Sequence, residues 1–246
     1  MYRTAAIAML LVSACASSND GEGGNGSIDA SFVDGQPAAD ADTTAPYRHT
    51  ITVDGVSDFS SGELFDTTSS GYQAAFTWDD DNLYLGYLGA DIAVDASDSA
   101  SKWVMVYIDT DPGGDAGSAT GETYNTQTPT FPAGFLADYY FRRKSDGTLD
   151  ELKSWDDPGW SVAVDIDAVV QGSTMEAAVA LTALGDPANI SIVAFMINEK
   201  PTVEWSYAGL YADSFTDGYA ETLAIGHYLN VSLSASTPPN AAGNKR

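Results

Sequence analysis

Lys102 to Asp109 reads KWVMVYID, a nearly continuous apolar run of the kind expected of a strand covered on both faces or central in a sandwich. Nowhere in the chain do apolar residues keep a 3.6-residue period long enough to build an α/β domain. A second signal lies just upstream. Tyr72 to Trp78 alternates large residues at even positions, Asp79-Asp80-Asp81-Asn82 supplies turn chemistry, and Leu83 to Leu88 resumes a β-rich run. Asp and Asn tolerate tight-turn dihedrals and bond their own backbone, so this segment predicts a hairpin. Further extended stretches are expected at Phe135 to Arg143, Thr148 to Trp155, Gly159 to Ile166, Thr174 to Leu181, Ile190 to Asn198, and between Tyr219 and Val231. A short helical turn is expected at Leu181 to Leu184, with Gly185 as its cap and Pro187 blocking continuation. The fold class that follows is all-β, an antiparallel β-sandwich of jelly-roll or immunoglobulin-like type.

The ends have a different composition. Residues 1–15, MYRTAAIAMLLVSAC, carry Arg3, a short apolar core from Ala5 to Val12 and small residues before Cys15, the pattern of a secretory signal. That core falls short of the ~20 residues a membrane-spanning helix needs. Val12-Ser13-Ala14-Cys15 resembles the bacterial lipobox, which implies that Cys15 is diacylated and becomes the first residue of the mature chain. Cys15 is the single cysteine, so it has no internal disulfide partner. Several acyl chains exceed the two-signal threshold for stable attachment. Ala16 rather than aspartate follows the cysteine, and the resemblance to enterobacterial lipoprotein sorting then implies the outer membrane or cell surface. Residues 16–46 are rich in Ser, Gly, Asn, Asp and Ala and bury too little apolar surface to order themselves, which predicts a disordered acidic tether. The folded domain is then expected over 47–231, with a flexible tail at 232–246 that contains Pro238, Pro239 and Gly243.

The formal net charge is −25, from 35 acidic and 10 basic residues. Nucleic-acid binding calls for the opposite balance, so no nucleic-acid partner is expected. An acidic surface suits divalent cations and neutral sugars, and it also keeps a chain soluble with no ligand at all.

Four landmarks keep the order of a known superfamily. Ile51 to Asp58 (ITVDGVSD) resembles the I-x-V/I-D-G-x-x-D opening of family 9 carbohydrate-binding modules. Phe76 to Leu85 resembles their next hairpin, and Val106 to Asp111 (VYIDTD) the strand that ends in x-I-D-T/x-D. Met175 to Leu181, with Leu184-Gly185, resembles the E-x-x-I-P-L-x-x-L-G element. The domain also resembles DOMON domains and the C-terminal domain of glucodextranases. The resemblance implies a β-sandwich, sugar binding in many members, calcium in some and haem in DOMON relatives. Phe59 stands where a tryptophan is usual, and Ala180 where proline is common.

The residues that carry chemistry are few. Asp109, Asp111 and Asp115 on a glycine-rich loop, with Glu122 beyond, offer the alternating oxygens a structural Ca2+ takes, or else form a solvated acidic turn. Sugar faces stack on aromatic rings while nearby polar groups take the hydroxyls, and Trp155, Trp160, Trp205 and Tyr207 are the expected platform. For Trp78 and Trp103 core packing is expected. Asp79 to Asp81 reads as a turn, not a metal site. His49 and His227 stand beside no G-x-S-x-G elbow and no glycosidase motif is recognisable, so no catalytic residue is assigned. A haem reading would draw axial ligands from Met105, Met196 and His227. The expected function is an exported, membrane-anchored lipoprotein with a non-catalytic sandwich module for carbohydrate or an envelope polymer. The alternatives are a structural or protein-interaction lipoprotein of the envelope and, behind it, a haem-binding DOMON-type redox domain.

Overall fold

The structure, a computed structural model, describes residues 45–124, 126–161, 164–166, 168–199 and 204–246. The chain divides into two units, Met1–Ala41 and Asp42–Arg246, and every described residue belongs to the second. Cys15 and the expected tether as far as residue 44 lie outside the described residues. Among the described residues no helix is long and apolar enough to cross a membrane.

The strands are β1 (Leu64–Asp66), β2 (Gln73–Trp78), β3 (Asn82–Leu88), β4 (Lys102–Asp109) and β5 (Thr128–Thr130). There follow β6 (Tyr139–Lys144), β7 (Asp150–Asp156), β8 (Gly159–Trp160), β9 (Val164–Asp165) and β10 (Ala168–Gln171). The last are β11 (Thr174–Ala180), β12 (Asn189–Glu199), β13 (Glu204–Tyr207), β14 (Thr222–Ala224) and β15 (Leu229–Ser232). The smaller sheet runs β1-β2-β3-β11-β10 and the larger β13-β12-β4-β6-β7-β8, with β15 paired to β12 and β9 to β7. Both are antiparallel; β5 and β14 form a separate parallel pair. The protein is an all-β sandwich, as its sequence predicts.

The apolar run of β4 has its reason in this layering. Val104, Val106 and Ile108 face the smaller sheet and join Phe76, Leu83, Leu85 and Tyr87 in the core between the layers. Trp103, Met105 and Tyr107 face the other way, under a cover that includes Phe135, Leu223, Ile225 and Tyr228. All eight β4 residues are buried, so no position of the strand has a solvated face to fill with polar side chains.

The expected turns hold. Asp79 Oδ1 accepts from the backbone N–H of Asp81 (2.9 Å) and Asn82 (2.8 Å), and Asp79 Oδ2 accepts from the hydroxyls of Thr50 and Tyr84. Burial opposes its ionisation, but these bonds outweigh it and hold the carboxyl below its usual range, so Asp79 closes the hairpin. The helical piece is one 3-10 turn, Leu181–Leu184, capped by Gly185 at φ 81°. Glu176, on β11, is fully buried and accepts from the backbone N–H of Asp54 (3.1 Å) and Gly55 (2.8 Å). Gly55, at φ 83°, passes so close to β10 that a Cβ there would sit 2.6 Å from the Gln171 nitrogen. The first and last family-like landmarks thus clasp each other.

One boundary needs correcting. Residues 232–246, expected to be loose, are tied to the domain: Tyr228 and Arg246 exchange backbone hydrogen bonds (3.1 and 3.0 Å), and Asn240 N–H donates to Gly62 (2.8 Å). Leu233 and Pro239 are buried, and Ala235 O accepts from Tyr47 N–H at the domain's other end. The folded domain therefore continues to Arg246, held by backbone pairing that composition does not reveal.

Candidate functional site

Each end of β4 opens on a different chemistry. At its start, Lys102 pairs with Asn198 of β12, and Asn198 pairs in turn with Trp205 of β13. Beyond β13, Ser206 and Gly218 form an antiparallel bridge, which sets Tyr219 across from Trp205. Side chains that pair across strands share a face, so Asn198 and Trp205 stand together at the mouth between the two sheets, and Tyr219 lies beyond Trp205 with its hydroxyl 3.3 Å from Thr126 Oγ1. The β1–β2 connection supplies Ser69 and Tyr72, and the 3-10 turn Ala90–Ile92 after β3 supplies Asp91, to the opposite wall of this cleft, which has a volume of about 240 Å³.

Trp205 is 51% exposed and Tyr219 49%, two of four large apolar side chains left in solvent among the described residues. Tyr207 has another job. It is buried, stacks edge-on with Tyr72 and donates its hydroxyl to Asp91 Oδ2 (3.0 Å). Asp91 Oδ1 accepts from Lys102 Nζ at 2.6 Å. Burial works against ionisation of Asp91, yet Lys102 and the two tyrosines overcome it and hold its carboxyl below the usual range. Tyr72 is pushed up to about 12, first by burial and then by Asp91. Asp217 accepts from the hydroxyls of Thr68 (2.5 Å) and Ser69 (2.6 Å). Asn198 Oδ1, on the facing wall, is shut off from solvent and accepts no hydrogen bond from the described residues. An acceptor left so costs on the order of 1–3 kcal/mol, which favours turning the amide toward any donor that enters.

At the far end of β4, Asp109, Asp111 and Asp138 each place a carboxylate oxygen within 4.8 Å of the others. Asp109 is 1% exposed; its oxygens accept only the long bonds from Asp111 N–H (3.1 Å) and Leu136 N–H (3.3 Å). Burial, with Asp138 and Asp111 adding like charge, raises it to about 6. Asp138 Oδ2 accepts from both the backbone and the hydroxyl of Thr110, at 2.7 Å each. A Cβ at Gly114 would meet the main-chain oxygen of Asp111 at 2.9 Å, so glycine lets the loop turn back this tightly beside that carboxylate. Beside the cluster, a cavity of about 390 Å³ is lined by Asp115, Asp138, Trp155, Asp156 and Asp157.

The expected sites are therefore redistributed. Asp109 and Asp111 come together; Asp115 is not among the clustered carboxylates, though its charge helps raise the Asp111 carboxyl. Glu122 does not join them. It accepts from Tyr140, Arg142 (3.4 Å) and Lys153 (3.1 Å), and so neutralises cations on the outer face of the larger sheet. Asp138 takes its place in the cluster. The four aromatics expected as one platform divide between the two ends: Trp205 and Tyr207 line the cleft, while Trp155 packs edge-on against Trp160 at 5.3 Å. Trp160 also abuts Tyr140 (4.7 Å) and Tyr107, which fixes it as packing. The three haem-ligand candidates are not brought together: Met105 and Met196 are buried in different cores on opposite faces of the larger sheet, and His227 contacts Asp213 at the surface. No protein-family model, curated protein or solved structure matches the chain.

Proposed function

We propose that the protein is an exported lipoprotein whose sandwich is a non-catalytic carbohydrate-binding module, and that the Trp205 cleft is where it binds. The observation that carries this reading is the half-exposed Trp205 ring beside a polar wall whose Asn198 acceptor lacks a donor. A pyranose presents C–H groups on its faces and hydroxyls around its rim. The faces stack on an indole, and a rim hydroxyl supplies the donor that Asn198 needs. Tyr219, across from Trp205, extends the stacking surface along the mouth. The landmarks that resemble those of family 9 carbohydrate-binding modules support the same reading, as does an acidic surface that repels polyanions and tolerates neutral polymers.

Calcium belongs to the other end. Asp109, Asp111 and Asp138, with Asp115 nearby, are hard oxygen donors without a basic partner among the described residues, which fits Ca2+ and a structural role. The anchor rests on Cys15.

Native gels cast with soluble neutral polysaccharides test the binding. The wild-type chain should be retarded by at least one of them and the Trp205→Ala variant should run as in a plain gel; equal retardation of both ends the cleft reading. Palmitate labelling tests the anchor, with label expected on the wild type and absent from Cys15→Ser.

A further inference from the structure

The charges in the cleft are unevenly compensated. Asp91 has Lys102 Nζ at 2.6 Å, so that pair is close to neutral. Asp217 has hydroxyl donors only, and no basic group pairs with it among the described residues. Asn198 Oδ1, also on the lining, is a buried acceptor that receives no hydrogen bond from the described residues. A ligand entering here meets one carboxylate that no basic group among the described residues compensates and one oxygen in want of a hydrogen, at a site partly withdrawn from water. Hydroxyls satisfy both. A carboxylate satisfies neither, and it also approaches through the field of a chain of net charge −25. Size adds a second limit, because about 240 Å³ is below the roughly 300–1,000 Å³ of sites for drug-sized ligands.

We propose that the cleft, if it is the carbohydrate site described above, admits one neutral sugar ring at a time and rejects acidic sugars, with Asp217 as the discriminating residue. The rest of a polymer lies outside, over Trp205 and Tyr219. Neutral chains or neutral branches are then the ligand class, and uronate-containing polymers are not.

The full chain is titrated with three matched pairs of methyl glycosides, glucoside and glucuronide, galactoside and galacturonide, mannoside and mannuronide, followed by saturation-transfer NMR at low ionic strength. Each pair differs only by a carboxylate at C6. The expected result is binding of at least one neutral member, with its acidic twin about tenfold weaker or more, the order expected for a like charge several ångströms away. Raising the salt should shrink the gap, because screening reaches a partly open site, and Asp217→Asn should shrink it without salt. If neutral and acidic members bind equally, or the acidic one binds tighter, the selectivity is refuted while sugar binding stands. Should no member of any pair bind and no polysaccharide retard the protein, both readings fall together.

Discussion

The two ends of β4 hold similar residues, tryptophan with aspartate, and put them to different use. At the start of the strand Asp91 is offset by Lys102 and by tyrosine hydroxyls, and the tryptophan beside it stands free in solvent. At the other end Asp109, Asp111 and Asp138 face one another with no basic partner among the described residues, and Trp155 is turned edge-on against Trp160. A ring that is free, beside one carboxylate offset by Lys102 and another, Asp217, held by hydroxyls, suits a neutral ligand. Crowded carboxylates suit a metal ion. The residue types alone do not separate these cases; the partners do.

The difference is broken or sharpened most strongly by pH. The folded pKa of Asp109, about 6, lies above the usual carboxylate value, so the folded chain keeps a proton that the unfolded chain has released. Its contribution to stability is full below about pH 4, declines as pH rises through 6, and is gone above that. Without calcium the loss is on the order of 2–3 kcal/mol, and Asp109→Asn should flatten the curve, as read by urea denaturation at each pH. Calcium at about a hundredfold excess over its Kd should add about 2.7 kcal/mol at neutral pH. That rise in melting temperature should vanish in Asp138→Asn and persist in Trp205→Ala; no rise in the wild type would reject the metal reading. Trp205→Ala should cost about 2 kcal/mol of sugar binding, roughly thirtyfold, in the manner of a central aromatic anchor. Trp155→Ala should leave sugar affinity within about twofold in the same titration.

What the sequence shows plainly is what is local. KWVMVYID marks a doubly covered strand, Asp79 to Asn82 a hairpin turn, and Leu181 to Gly185 a capped turn, because each depends on neighbours a few residues away. Asp138 is illegible for the opposite reason: it reaches Asp109 through the β4–β6 pairing and carries no spacing signal relative to the loop. Glu122 lies closer along the chain than Asp138, yet it is drawn away by Arg142 and Lys153. The cleft could not be read either, since Tyr72 and Asp91 come from connections that flank β2 and β3 of one sheet and Asn198 and Trp205 from strands of the other. β5 contains Pro129 and pairs in parallel with β14, so it shows no alternating pattern. The segment after Val231 is held by main-chain bonds to Gly62 and Tyr228, for which Pro238, Pro239 and Gly243 give no warning.

The indole N–H signals of the five tryptophans report both ends of the molecule in one spectrum. With the full chain labelled with nitrogen-15 and titrated with a neutral oligosaccharide, the Trp205 signal should move while those of Trp78, Trp103, Trp155 and Trp160 stay in place. Movement of Trp155 or Trp160 with Trp205 unchanged would put the sugar at the acidic end and contradict the account.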